Sequence, residues 1–258
     1  MSTSSGTRTL SESASAALLA RFGVPLVPSR FVSSVDEAIV AASQLGHPVA
    51  LKLSGDRIAH KTERGLVRLR LTDEFDVRSA GEALLAAARP EDGEVGLLVA
   101  QMVRGNRELI AGLATDEQFG TTVMVGVGGV LAEAIADVSI RLVPIEAVDA
   151  AEMLDELGAQ ALLGPFRGEQ GLDRDAMIAT LVALSDAAVA TEGLHAADLN
   201  PLVICDGMPV AVDCLVELDE TVDARRTAPR GGRGTASTAS GSDDHDSAGF
   251  DALFDPEG

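Results

Sequence analysis

The chain has 258 residues, enough for one large or two small domains, and 46% of them are hydrophobic, so a substantial core can form. Aromatic residues make up only 3%, with neither Trp nor Tyr, which leaves Ala, Val and Leu to fill that core. A formal charge of −20 and a pI near 4.4 exclude a broad surface for nucleic-acid backbones, which need a positive face. They do not exclude a nucleotide, whose phosphates need only a few local Lys, Arg and backbone N–H groups.

Residues 1–9 are polar and read as a flexible N-terminus without the apolar core of a signal peptide. Helical spacing predicts a first helix over 10–22, with Leu10, Ala14, Ala17 and Leu18 on one face and Gly23 at its end. An extended stretch follows over 24–28. Ser34 and Glu37 have the spacing of a capping box, which satisfies two orphan N–H groups at the start of a second helix running to Gly46. Residues 48–53 form an apolar strand that carries Lys52. A lysine in such a strand is costly unless its ammonium reaches water or an anion, so it marks either an edge strand or an anion site.

The loop over 54–62 is small and basic and holds His60 and Lys61; Gly65 then opens a strictly alternating strand over 66–71. Strand, basic loop and strand suit a phosphate cover, although no Walker A pattern is present. A lone loop histidine is, on this pattern alone, a solvated imidazole. Thr72 is expected to cap a helix over 73–88. Residues 95–103 read as a strand, 104–106 as a turn and 107–114 as a returning strand with Glu108. This pattern fits a surface hairpin, or a hinge that offers its backbone to adenine with Glu108 near the sugar. A strand over 121–130 runs into Gly126, Gly128 and Gly129, which read as close backbone packing at a strand end rather than a dinucleotide site. Another strand is expected over 137–143, then helices over 146–157 and from 173 or 175 to 190.

Asp198 to Asp213 reads as two apolar strands joined at Asp206-Gly207, a pairing of residues that favours a tight type I′ turn. With those two residues as the loop, Cys205 faces Met208, Leu199 faces Cys214, and Asn200 faces Asp213. Asp198 shares the face of Asn200, since side chains alternate along a strand. Cys205 and Cys214 are therefore not cross-strand partners, and neither a disulfide nor a dithiol metal site is expected. Three oxygen-bearing groups converge on one face. They form either a hard-cation site, of the kind Mg²⁺ completes with phosphate and water, or strand ends at a wet edge. Beyond Leu218 the composition changes to Gly, Ser, Thr, Arg and Asp, and residues 219–258 read as a disordered acidic tail. No apolar run reaches membrane-spanning length. A soluble, cytoplasmic protein that binds neither nucleic acid nor membrane is expected.

Taken together, Pro48 to Lys52, His60-Lys61-Thr62-Glu63-Arg64-Gly65-Leu66-Val67, Gln101-Met102-Val103 with Glu108, Gly128-Gly129 with Glu133, and Asp198-Leu199-Asn200-Pro201-Leu202 resemble, in the same order, the ATP-grasp subunit of nucleoside-diphosphate-forming acyl-CoA synthetases. The beta subunit of ADP-forming acetyl-CoA synthetase is the nearest form, and succinyl-CoA synthetase beta chains are more distant. The resemblance covers 10–218 and implies an ATP-grasp fold of the α/β (α+β) class, with two lobes clasping ATP or ADP between antiparallel or mixed sheets. The smaller lobe is expected over about 49–113.

It further implies that Lys52 contacts the nucleotide phosphates, with Gly65 in the loop over them. The strand end at Gln101 and Val103 would hold adenine and Glu108 the ribose, while Asn200 and Asp213 would carry Mg²⁺. His60 would carry a phosphoryl group, oriented by Asp198. Leu66 stands where many members have a second Gly, so a looser approach of this loop to phosphate is expected. The chain lacks the CoA-binding domains, so the resemblance implies a CoA-binding alpha subunit as obligate partner in a hetero-oligomer. Two other readings are carried forward: an ATP-grasp carboxylate ligase without phosphohistidine, and a non-catalytic ATP/ADP-sensing regulatory subunit.

Overall fold

The computed structural model describes residues 6–55, 57–58, 64–116, 118–129, 136–166 and 168–220. His60, Lys61, Glu133 and, past Glu220, the acidic tail lie outside these residues.

Among the described residues two antiparallel sheets form, each with its own core. The smaller sheet contains β2 (Ser29–Val32), β3 (Val49–Gly55), β4 (Val67–Leu71) and β5 (Val95–Gln101) in the order β2-β5-β3-β4. Helices α2 (Val35–Leu45) and α3 (Glu74–Ala86) cover one face, burying Val49, Leu51, Leu53, Leu84 and Leu97 with them. The larger sheet contains β1 (Thr7–Thr9), β6 (Glu108–Asp116), β7 (Gly120–Val127), β8 (Val138–Leu142), β9 (Leu194–Cys205), β10 (Met208–Ala211) and β11 (Cys214–Asp219). Its order is β1-β11-β9-β6-β7-β8, with β10 also paired to β9. Helices α4 (Ala147–Glu156) and α6 (Arg174–Ala190) pack on it through Met153, Leu154, Met177, Leu181 and Leu184. A short helix α5 (Gln160–Leu163) joins them in sequence. Each fully buried Leu or Val contributes roughly 1.5–3 kcal/mol, so aliphatic side chains alone can hold both cores together.

Several local expectations need correction. The N-terminus is not loose throughout, because Thr7 to Thr9 pair with Glu217 to Asp219 on β11. The α2 cap is split: Ser34 Oγ accepts from Glu37 N at 3.3 Å, while the Glu37 carboxylate accepts from Ser33 N at 2.9 Å, one residue earlier than a capping box requires. Asp73, not Thr72, caps α3 by accepting from Asp76 N at 2.8 Å. Residues 95–114 do not form a hairpin, since β5 pairs with β2 and β3 whereas β6 pairs with β7 and β9. The segment 102–107 is thus a crossing between sheets. The smaller sheet begins at Ser29 and ends at Gln101, both earlier than the expected bounds of the smaller lobe. Leu66 is 1% exposed within the smaller core, and its carbonyl accepts from Leu53 N, so the residue in place of a second glycine is a core side chain.

Asp92 anchors the chain that emerges at Arg64. Its carboxylate accepts from Arg64 Nη1 at 2.7 Å, Arg64 Nη2 at 2.9 Å and Arg89 N at 2.8 Å. The hydrogen bonds from Arg64 and then Arg89 N outweigh burial and hold this carboxyl down at about 2. A depressed carboxyl stabilises the fold fully above the unfolded value near pH 4 and loses that contribution as pH falls toward 2. Denaturant titrations between pH 2 and 6 should therefore show the wild type losing more stability on acidification than Asp92→Asn; parallel curves would contradict this.

A candidate nucleotide site between the two sheets

β9 is the strand on which the site is built. Ala197 and Leu199 are buried in the core under α6, so Asp198 and Asn200 project from the opposite face. The pairing of β9 with β6 shifts between Leu109↔Leu202 and Ala111↔Leu199, giving β9 one extra residue around Asn200-Pro201. This bulge returns Leu202 and Ile204 to the core beyond it. The hairpin register is the one the Asp-Gly turn dictates: Met208 pairs with Cys205 and Ala211 with Leu202. It continues through Val212 N to Pro201 O at 3.1 Å and resumes with Cys214 opposite Leu199. Asp213 thus stands opposite Asn200. Neither Cys205 nor Cys214 is in a disulfide.

Lys52 meets this strand end from the other sheet. β3 pairs on both sides, with β4 and with β5, so Lys52 is not on an edge strand. Its face is opposite that of Leu51 and Leu53, which enter the smaller core. Only 6% exposed, it places Nζ 2.6 Å from Glu12 Oε1, 3.2 Å from Val212 O and 3.3 Å from Asp213 Oδ2. All three acceptors belong to the larger sheet's side. Glu12 opens helix α1 (Glu12–Ala20), which is tied to β11 by Val216 N donating to Ser15 Oγ at 3.0 Å. Burial opposes the Lys52 charge, but the carboxylates of Glu12 and Asp213 outweigh it and hold the ammonium's pKa above its ordinary value. Burial and then the nearby Asp213 charge push the Asp198 carboxyl up.

No group of three or more His, Cys, Asp or Glu among the described residues would hold a metal by itself. Asp213, with Asp198 near enough to feel its charge and Asn200 opposite in the strand register, belongs to a set of hard oxygen groups, the chemistry that suits Mg²⁺ when phosphates supply the remaining ligands.

The other expected site residues lie around the crossing between sheets. Gln101 ends β5 and its N–H donates to Pro28 O at 3.0 Å; Met102 N donates to Pro48 O at 3.3 Å. The Val103 backbone makes no hydrogen bond to another described residue, so its N–H and C=O remain available. A cavity of about 780 Å³ lies against this segment, lined by Pro48, Arg70, Met102, Val103, Asn106 and Gln170 among others. It does not reach Lys52, Asp198, Asn200 or Asp213. Glu108 opens β6, and its carboxylate lies beside Gly129. A Cβ on Gly128 would come within 2.9 Å of Leu109 O, so Gly128 serves close backbone packing there. Gly65 adopts a φ of 66°, and its carbonyl accepts from Arg68.

Two residues that sequence reasoning did not single out complete the picture. Glu12 is one. Arg107 is the other: 4% exposed, it donates to Leu162 O at 3.0 Å, to Gly164 O at 2.6 Å and to Gln170 O, and pairs with Glu169 at 3.2 Å. It fixes the segment after α5 against the crossing and so shapes one wall of the cavity. No spacing marks either residue, because their partners are distant in sequence.

Comparison with known proteins follows the same outline. Residues 2–218 match the model of an ATP-grasp domain. The chain belongs to the ATP-grasp family. It is 30% identical over 209 residues to the beta subunit of ADP-forming acetate–CoA ligase I of Pyrococcus furiosus, covering 80% of this chain and 90% of that one. It is 35% identical over 211 residues to ADP-forming acetate–CoA ligase I of Archaeoglobus fulgidus, where the match covers 80% of this chain but 30% of the relative. Among solved structures, acetyl-coenzyme A synthetase 1 of Ca. Korarchaeum cryptofilum in complex with coenzyme A, Ca-AMPCP and HgCl⁺ superposes with a TM-score of 0.76 at 32% identity, covering 82% of this chain and 93% of that one. Another structure of that protein, with Mg-AMPPCP and its phosphohistidine segment pointing towards the nucleotide-binding site, gives 0.71 at 32% identity over the same shares. No helix among the described residues is long and apolar enough to cross a membrane.

Arg107→Lys keeps the charge but cannot satisfy three carbonyls and a carboxylate at once. It should lower unfolding stability by about 3 kcal/mol, the scale of a broken buried pair. Hydrogen exchange should speed up at Leu172, whose N–H bonds Leu163 O; unchanged exchange there would refute the clamp.

Proposed function

We propose that the chain is the nucleotide-binding subunit of an ADP-forming acyl-CoA (acetyl-CoA) synthetase, an acid–thiol ligase. It would pass a phosphoryl group between a phosphohistidine and ADP or ATP within the reversible reaction acyl-CoA + ADP + phosphate to carboxylic acid + CoA + ATP. The observation that carries this reading is the meeting of Lys52 from one sheet with Asp213 from the other, 3.3 Å apart, in a chain matching ADP-forming synthetase subunits along most of its length.

In this reading Val103 offers its backbone to adenine, Gln101 lies at the same strand end, and Glu108 binds the ribose. Lys52 faces the phosphates and stabilises charge there, and Gly65 lies in the loop that covers them. Asn200 and Asp213 hold Mg²⁺, which when bound draws charge from the phosphate oxygens. Phosphoryl transfer of this kind is mostly positioning and electrostatics. A neutral nitrogen of His60 attacks the γ-phosphorus of ATP, the bond to the ADP oxygen breaks, and the phosphoryl remains on nitrogen; the reverse step makes ATP. Asp198 orients the imidazole and fixes its tautomer.

The acyl and CoA steps fall to a CoA-binding alpha subunit, consistent with relatives in which the matched segment is 30% of a longer chain. In this reading the partner would meet the face of the larger sheet that carries Asp198. From Asp198 the cross-strand row runs through Gly112 and Met124 to Ile140, which is 51% exposed, on the side opposite the helices.

Incubation with γ-labelled ATP and Mg²⁺, with the alpha subunit present, should give an acid-labile, base-stable phosphoprotein. The His60→Ala variant should lose that label and at least a hundredfold of ATP synthesis, on the scale of a lost covalent-catalytic residue. Full activity in His60→Ala would favour a ligase without phosphohistidine; binding of ATP without any transfer would favour a sensor.

A further inference from the structure

We propose that the Ser54 hydroxyl binds the terminal phosphoryl group of ATP and so distinguishes the triphosphate from the diphosphate; this rests on the nucleotide-site reading above. Leu51 and Leu53 enter the smaller core, so Lys52 and Ser54 share the opposite face of β3. The strand orders the site along its length. Val49 pairs with Gln101, at the strand end proposed to hold adenine. At ~3.4 Å per residue, Lys52 stands about 10 Å further along and Ser54 about 7 Å beyond Lys52. β3 ends at Gly55, and the chain then continues to His60, the residue proposed to exchange a phosphoryl group with the nucleotide. Ser54 is therefore at the phosphoryl end of the row.

The hydroxyl has no use within the fold. Ser54 is 0% exposed, yet its Oγ has no hydrogen-bond partner. A buried hydroxyl left unpaired costs stability, and nearly all such groups in folded proteins find a partner. The surroundings show why this one does not. β5 places Gly96 opposite Ser54, and the Phe31 ring takes the space of a Gly96 side chain. On the other flank Leu53 N donates to Leu66 O, so Gly65 is next in the pairing. Neither flank brings a polar side chain. Alanine would serve packing equally well and without the cost. An unused O–H donor on the face of Lys52 is suited to an anionic phosphoryl oxygen, because hydrogen bonds to charged acceptors are the strong ones.

The test compares binding of Mg-ADP and of Mg-AMPPCP, which keeps a terminal phosphoryl, to the full chain by calorimetry. Ser54→Ala should leave Mg-ADP affinity within about twofold of wild type and weaken Mg-AMPPCP about tenfold or more, the scale of a hydrogen bond to a charged group. Ser54→Cys, close in size with a weaker donor, should fall between. Without ligand, the denaturant midpoint of Ser54→Ala should equal or exceed that of wild type, since an unpaired hydroxyl has been removed. Unchanged Mg-AMPPCP binding, or an equal loss for both nucleotides, would overturn the inference and leave Ser54 a packing residue. A lowered midpoint would also overturn it, because the fold would then already use the hydroxyl. Lys52→Met separates the two levels: if it weakens both nucleotides while Ser54→Ala matches wild type, only the role of Ser54 fails. If wild type binds neither nucleotide, or Lys52→Met binds both as wild type does, the nucleotide-site reading fails and the inference with it.

Discussion

Lys52 brings a positive charge to a central strand of the smaller sheet, where burial by itself works against the charged form. The charge is sustained because Glu12 and Asp213 reach it from the larger sheet's side. That requirement links elements remote in sequence: helix α1, strand β3 and the turn from β10 into β11 must come together or the ammonium is stranded. In the proposed function this contact also supplies the site's chemistry, with Asn200 and Asp198 as the further oxygen donors. The two cores that flank this cluster are ordinary aliphatic packing.

What could be read from sequence was whatever local geometry decides. The Asp206-Gly207 turn fixes its hairpin register, and every later pairing through Cys214 and Leu199 follows from it, including the placement of Asn200 opposite Asp213. A lysine in an apolar strand has few places to go, so Lys52 was visible as a residue needing an anion. The helices over α2, α3, α4 and α6 were legible from their apolar spacing within a residue or two at most ends.

What failed depends on partners far along the chain. Arg104-Gly105-Asn106 has the composition of a hairpin turn, but the flanking strands find better neighbours in different sheets, and a turn sequence carries no record of that competition. Nothing in the spacing of the first helix singles out Glu12, because its contact is with Lys52, 40 positions away. Arg107 likewise carries no local signal, because the carbonyls it meets, such as Leu162 O, lie more than 50 positions along the chain. The bulge in β9 at Asn200-Pro201 is invisible to simple alternation, although it decides which residues beyond it return to the core. Leu66 marks the reverse case: expected to loosen a phosphate loop, it is instead a buried side chain of the smaller core.

The most direct test of the account is a double-mutant cycle on Mg-ADP binding, measured by calorimetry with wild type, Lys52→Met, Asp213→Asn and the double variant. If the two side chains act in one nucleotide site across the sheets, both single variants bind more weakly and their effects are coupled by about 1 kcal/mol or more. Strictly additive losses, or Mg-ADP binding indifferent to either residue, would contradict it.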